Sequence, residues 1–130
     1  MERRSRTVMV VDDEPGVLAV AVRALERAGY RTLGAGTAAQ AELLCREHPG
    51  TIDAVVMDVV LDDVHGFDAI PCLLKHRADL KVLYISGYPG QLTFAAKELS
   101  APFLMKPFTA DQLVEKVDGL LGIGDTRRVA

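Results

Sequence analysis

Two short apolar runs, Val8-Met9-Val10-Val11 and Ala54-Val55-Val56-Met57, stop abruptly at carboxylates: Asp12 and Asp13 after the first, Asp58 after the second. Valine-rich runs of this length without polar alternation are buried on both faces, as strands inside a parallel sheet are. Parallel strands need long crossover connections, which the chain supplies as helical patterns between the runs. In an open α/β sheet the ligand crevice lies outside the carboxyl ends of the strands, where connections diverge to opposite faces. Three acids at those ends point to one shared pocket, suited to a hard divalent cation.

Strand and helix signals alternate five times. The first strand is expected over Thr7 to Val11. The first helix is expected from Pro15, which suits a first helical turn, to Ala28, with Gly29 as its stop. Val17, Ala21, Ala24 and Ala28, flanked by Leu18, Val22 and Leu25, form its apolar stripe. A weaker, more exposed second strand covers Arg31 to Ala35. Thr37 and Gln40 have capping-box spacing and open a helix that ends near His48. The third strand is expected over Ala54 to Met57, followed by a helix over Phe67 to His76. The fourth strand runs from Leu80 to Ile85, and a turn-rich Ser86-Gly87-Tyr88-Pro89-Gly90 precedes a short helix from Gln91 to Leu99. The fifth strand covers Pro102 to Met105. Thr109 and Gln112 cap a last helix with Leu113, Val117, Leu120 and Leu121 on one face, stopped by Gly122 and Gly124.

This (βα)5 pattern predicts a doubly wound parallel five-stranded sheet covered on both faces. The flavodoxin-like order 2-1-3-4-5, a known arrangement adopted here and not read from the residues, brings Asp12, Asp13 and Asp58 together at its switch point. At 130 residues the chain is expected to be one domain, with a core over about 7–121 and tails at 1–6 and 122–130. An apolar fraction of 49% with 25% charged residues fits a globular protein. The apolar runs fall well short of the ~20 residues a membrane helix needs. With no signal-peptide pattern, a cytoplasmic location is expected. A net charge of −3 gives no broad basic field, so direct nucleic-acid binding is not expected, and Arg127 and Arg128 read as a solvated tail. Cys45 and Cys72 lack C-x-x-C spacing and are expected to be buried free thiols.

Ser86 and Lys106 stand at the ends of the fourth and fifth strands, so they share the rim with the three acids. An ionised aspartate is a poor attacker of an anionic phosphoryl group because like charges repel, an objection that Mg²⁺ removes. Asp13 and Asp58 can each offer one oxygen, the backbone carbonyl of Val60 another, while Asp12 holds a coordinated water. Asp58 is then the nucleophile, with Lys106 and the Ser86 hydroxyl placed around the transferring oxygens. Pro107 fixes the turn after the lysine, in an isomer the sequence leaves open.

With VVDDEP at the first strand end, VVMD at the third, Ser-Gly at the fourth and Lys-Pro-Phe at the fifth, the chain resembles the response-regulator receiver domain of two-component signalling. The resemblance covers about Thr7 to Leu121. Ser-Gly-Tyr-Pro and Lys-Pro-Phe-Thr are similar to receivers of hybrid sensor kinases, though free receivers share them. The resemblance implies that Asp58 is the phosphoacceptor, Asp12 and Asp13 the acidic Mg²⁺ pair, Ser86 the switch hydroxyl, Lys106 the phosphate-contacting lysine and Phe103 the switch aromatic. It also implies a phosphohistidine donor on a histidine kinase or phosphotransfer protein. The state of Asp58 would pass to a partner or a dimer through the face of the fourth helix, fifth strand and fifth helix. Such a domain catalyses its own phosphorylation and dephosphorylation and is a switch, not an enzyme with a separate substrate. Gly66, eight residues after Asp58, fits the family. Asp62 departs from it, standing where proline is usual and adding negative charge beside Asp63.

Two alternatives stay open at this point: a phosphohydrolase with an aspartyl-phosphate intermediate, and an interaction domain with a vestigial pocket. The former usually places its nucleophile early and adds a substrate cap, neither of which this chain does. Gly34-Ala35-Gly36-Thr37-Ala38-Ala39 matches a dinucleotide fingerprint formally, but it follows the second strand and its acid, Asp53, precedes the third, so a tight turn explains it better. His48, His65 and His76 lack metal-ligand spacing and are expected near the surface.

Overall fold

A computed structural model describes residues 2–123. Gly124, Arg127 and Arg128 lie outside the described residues.

The strands are β1 (Thr7–Val11), β2 (Arg31–Ala35), β3 (Ala54–Asp58), β4 (Lys81–Ser86) and β5 (Phe103–Met105). They alternate with α1 (Pro15–Ala28), α2 (Ala38–Glu47), α3 (Gly66–His76), α4 (Pro89–Glu98) and α5 (Ala110–Leu121). All neighbouring strands pair in parallel, in the order β2-β1-β3-β4-β5. Every residue of β1 and β3 is buried, as their apolar composition requires, whereas the edge strand β2 is largely open.

Side-chain alternation sorts the strand residues into two cores. Met9, Val11, Val55 and Met57 pack with Ala41, Cys45, Ala69, Ile70 and Leu73 of α2 and α3. Val8, Val10, Val56, Leu83 and Ile85 pack with Ala21, Leu25, Leu113 and Val117 of α1 and α5. Each large apolar side chain fully buried in this way stabilises the fold by about 1.5–3 kcal/mol. Ala21, Ala24 and Leu25 are the buried part of the expected α1 stripe, and Gly29, at φ 110°, ends the helix in the left-handed conformation that glycine tolerates.

Register decides what reaches the rim. Val11 lies opposite Met57, Asp58 opposite Ile85, and Ser86 opposite Met105, so Asp12, Asp58, Ser86 and Lys106 end their strands almost level. Backbone bonds fix the offsets: Asp12 N–H to the Ala35 carbonyl (3.1 Å), Val59 to Ile85 (3.0 Å) and Lys106 to Ser86 (2.9 Å).

Several expectations need correction. Cys45 is buried, but Cys72 is exposed, because the buried stripe of α3 runs through Gly66, Ala69, Ile70 and Leu73 and leaves Cys72 on the outer face. Thr37 does cap α2 by accepting from Gln40 N–H, yet the Gln40 side chain accepts from Gly36 N–H and not from Thr37, so only half a capping box forms. At α5 the full box is present. Residues expected as an N-terminal tail include a 3₁₀ turn over Glu2–Ser5, anchored when Arg3 donates to Asp118 near the end of α5 (2.5 and 3.1 Å). Asp118 is buried and also accepts from the Tyr30 hydroxyl at 2.6 Å. Asp53, the acid of the formal dinucleotide fingerprint, instead accepts from Thr7 N–H and faces Arg6 at the amino edge of the sheet. His48 and His65 are half-buried and His76 is exposed.

Candidate functional site

The carboxyl rim concentrates charge. Lys106 Nζ lies 2.8 Å from Asp12 Oδ2, 3.1 Å from Asp58 Oδ2 and 3.3 Å from Glu14 Oε1. Asp12 is 0% exposed and Asp58 3%, so two nearly dry carboxylates share one ammonium. Their other oxygens are held by backbone: Glu14 N–H donates to Asp12 Oδ1 (2.9 Å) and Val60 N–H to Asp58 Oδ1 (3.1 Å). The Lys106–Pro107 peptide is cis.

Electrostatics follows from the crowding. Burial, and then the nearby Asp12 charge, push Asp58 up to about 6 against the pull of Val60 N–H and Lys106. Burial opposes the charge on Lys106, but its contacts with Asp12 and Asp58 win and raise its pKa. Asp13 is raised, first by burial and then by the neighbouring Asp62 carboxyl, so the unexpected acid in the loop bears directly on Asp13.

Asp12, Glu14 and Asp58 offer oxygens that all lie within 4.8 Å of one another. Asp12 Oδ2 is buried without an aligned hydrogen-bond donor, its contact with Lys106 being one of charge alone. A surplus of hard, partly unsatisfied oxygens is a donor set that fits a Mg²⁺-like cation. Glu14 was missed in the sequence, although it extends the same Asp12-Asp13 run and belongs to this cluster.

Of the other expected residues, Asp13, Val60 and Ser86 line a cavity of about 450 Å³ together with Asp58 and Lys106. The Ser86 hydroxyl turns toward α4: it accepts from Tyr88 N–H and donates to Gln91 Oε1, both at 3.0 Å. Phe103 is away from the cluster on β5, 36% exposed, with the Lys116 ammonium 5.9 Å from its ring centre.

The loop that carries the candidate acceptor is pinned at both ends. A Cβ on Gly66 would fall 2.3 Å from the Asp58 carbonyl oxygen, so only glycine allows this approach, and Gly66 N–H donates to the Val59 carbonyl at 2.7 Å. Asp63 accepts from Ala38 N–H and Ala39 N–H, both at 3.1 Å, tying the loop to the start of α2.

Residues 8–118 match the response regulator receiver domain family. The chain is 36% identical over 121 residues to the sensor kinase CckA of Brucella abortus, covering 90% of this chain and 13% of the kinase. It is 32% identical over 117 residues to the DNA-binding transcriptional regulator NtrC of Azospirillum brasilense, covering 88% of this chain and 24% of that protein. Among solved structures, the response regulator TrrA of Thermotoga maritima, in complex with Mg²⁺-BeF, superposes with a TM-score of 0.75 at 26% identity, over 89% of this chain and 99% of TrrA. The chain thus spans under a quarter of the length of these two curated relatives.

Proposed function

Because this chain belongs to the response regulator receiver family, we propose that it is a phosphoacceptor switch of a phosphorelay, with Asp58 as the acceptor. The carrying observation is the contact of Lys106 with both Asp12 and Asp58 at the rim. An Asp58 oxygen attacks the phosphorus of a phosphohistidine in line, the P–N bond breaks, and the imidazole leaves. With a pKa near 6 the carboxylate is largely ionised at neutral pH and ready to attack. Lys106 is placed to move from carboxylate to phosphoryl oxygen, and the Ser86 hydroxyl can meet a second oxygen by rotation.

Mg²⁺ would be held by Asp12, Asp13, Asp58 and the Val60 carbonyl, with Glu14 beside them, and would neutralise the charge that otherwise repels the phosphoryl group. The crowding of Asp12, Glu14 and Asp58 supports this, as does the Mg²⁺-BeF complex of TrrA. The donor would be a histidine kinase or a phosphotransfer protein, in the cytoplasm. Output through α4, β5 and α5 is supported by the exposure of Phe94, Leu99, Phe103 and Met105, apolar side chains gathered on α4, β5 and the loop between them. Phe103 would be the aromatic that reports the state of Ser86. The described residues hold no helix long and apolar enough to cross a membrane. We take the chain as one receiver domain, whether free-standing or part of a larger kinase or regulator.

Incubation with Mg²⁺ and acetyl phosphate, followed by intact mass measurement, should add one phosphoryl group to the wild type and none to Asp58→Asn. Persistent absence of label at saturating Mg²⁺, or rapid turnover of phosphomonoesters, would defeat the reading.

A further inference from the structure

Ser86 has one hydroxyl proton, and it is committed. Its oxygen already accepts from Tyr88 N–H, and its proton goes to Gln91 Oε1 of α4 at 3.0 Å. Gln91 is the third residue of α4, and its amide nitrogen lies 3.5 Å from His65 Nε2, at the outer limit of a hydrogen bond. His65 ends the acceptor loop: it bridges to Val60 and packs on Phe67, with ring centres 5.1 Å apart, while Phe67 meets Phe94 of α4 at 5.0 Å. One side chain therefore touches the switch hydroxyl and the far end of the acceptor loop while riding on the first turn of α4.

The helix it rides on is lightly held. Among its residues only Leu92 and Ala95 are buried, against four in α3. Elements with few buried contacts open at low cost, so one hydrogen bond is a larger share of what fastens α4 than it would be elsewhere.

We propose that Gln91 is a resting-state latch, a positioning residue that keeps the Ser86 hydroxyl turned from Asp58 and fastens α4 to the acceptor loop. The proposal rests on the phosphoacceptor reading. A phosphoryl oxygen on Asp58 competes with Gln91 Oε1 for the same proton. When the phosphoryl oxygen wins, Ser86 rotates, the Gln91 bond is lost, and α4 is released. The latch lowers the affinity of the site for a phosphoryl group by the fraction of molecules that must first be unlatched.

Titration of the wild type and variants with beryllofluoride in saturating Mg²⁺ tests this, with amide hydrogen exchange of α4 as the second readout. Gln91→Leu should bind beryllofluoride about fivefold more tightly, the weight of one net hydrogen bond, and its α4 amides should exchange before ligand is added as fast as those of the ligand-bound wild type. Gln91→Glu keeps an acceptor for Ser86 and should bind no more tightly than the wild type. In a Ser86→Ala background the Gln91→Leu gain should vanish, because no proton is left to contest. Equal or weaker binding by Gln91→Leu, or a gain that survives in Ser86→Ala, would overturn the latch. Failure of the wild type itself to bind beryllofluoride would instead remove the phosphoacceptor reading beneath it.

Discussion

The two poles of the sheet each bury an aspartate against a basic side chain, and they are built to opposite ends. At the amino pole, Asp118 accepts two hydrogen bonds from Arg3 and one from Tyr30, so its charge is matched by directed donors. At the carboxyl pole, Asp12, Glu14 and Asp58 converge on Lys106, and Asp12 Oδ2 has no aligned donor. The first arrangement is finished within the chain and joins its first described turn to its last helix. The second has more negative charge than the chain itself neutralises, which suits a place where other ions and groups come and go.

The largest effect should come from the finished pole. Asp118→Ala leaves the Tyr30 hydroxyl buried without this partner and is expected to cost about 2–4 kcal/mol in urea denaturation, while acetyl phosphate labelling of Asp58 stays intact. Loss of labelling without loss of stability would erase the contrast between the poles.

The overcharged pole should show the reverse sign. An acid whose pKa is raised on folding costs stability once ionised, and Asp58 is raised to about 6. That cost is absent below the ordinary carboxylate pKa of about 3.9, grows as pH rises toward 6, and is complete above it. In EDTA, Asp58→Asn should therefore be more stable than the wild type at pH 7, by on the order of 1–3 kcal/mol, with the gap closing as pH falls toward 4. A gap that widens toward acid would show that Asp58 is stabilised in its charged form.

The smallest effect sharpens the comparison within the rim. Asp63 is lowered by its bonds to Ala38 and Ala39 N–H, so its contribution is present above the ordinary carboxylate pKa and is lost as pH falls through its folded value. Because Asp63 is exposed, Asp63→Ala should cost under about 1 kcal/mol at pH 7 and progressively less as pH falls below the ordinary carboxylate pKa, as thermal melts from neutral to acid pH can check.

How much of this was legible depended on whether the deciding forces were local. β1, α1 and β2 have the expected bounds because Pro15 and Gly29 punctuate the chain and valine runs leave little choice of period. Asp12, Asp58 and Lys106 were legible because strand ends in a parallel sheet share a rim. Glu14 was not, since its reach depends on the turn after Asp12. Gln91 was not singled out because its partners, Ser86 and His65, are set by how α4 docks on the rim and not by any local pattern. Arg3 and Asp118 are 115 residues apart, a pairing that no window of sequence contains. Asp62 was noticed as an anomaly, but only the fold reveals that its charge bears on Asp13 and raises it.

The contact of Gly66 with the Asp58 carbonyl is backbone against backbone, and backbone has no rotamers. On that side, the backbone of Asp58 meets a surface with no rotamer to absorb movement. Under the proposed phosphorylation of Asp58, a disturbance at its carboxylate would find that side closed and the side of Ser86, which lines the same cavity, open.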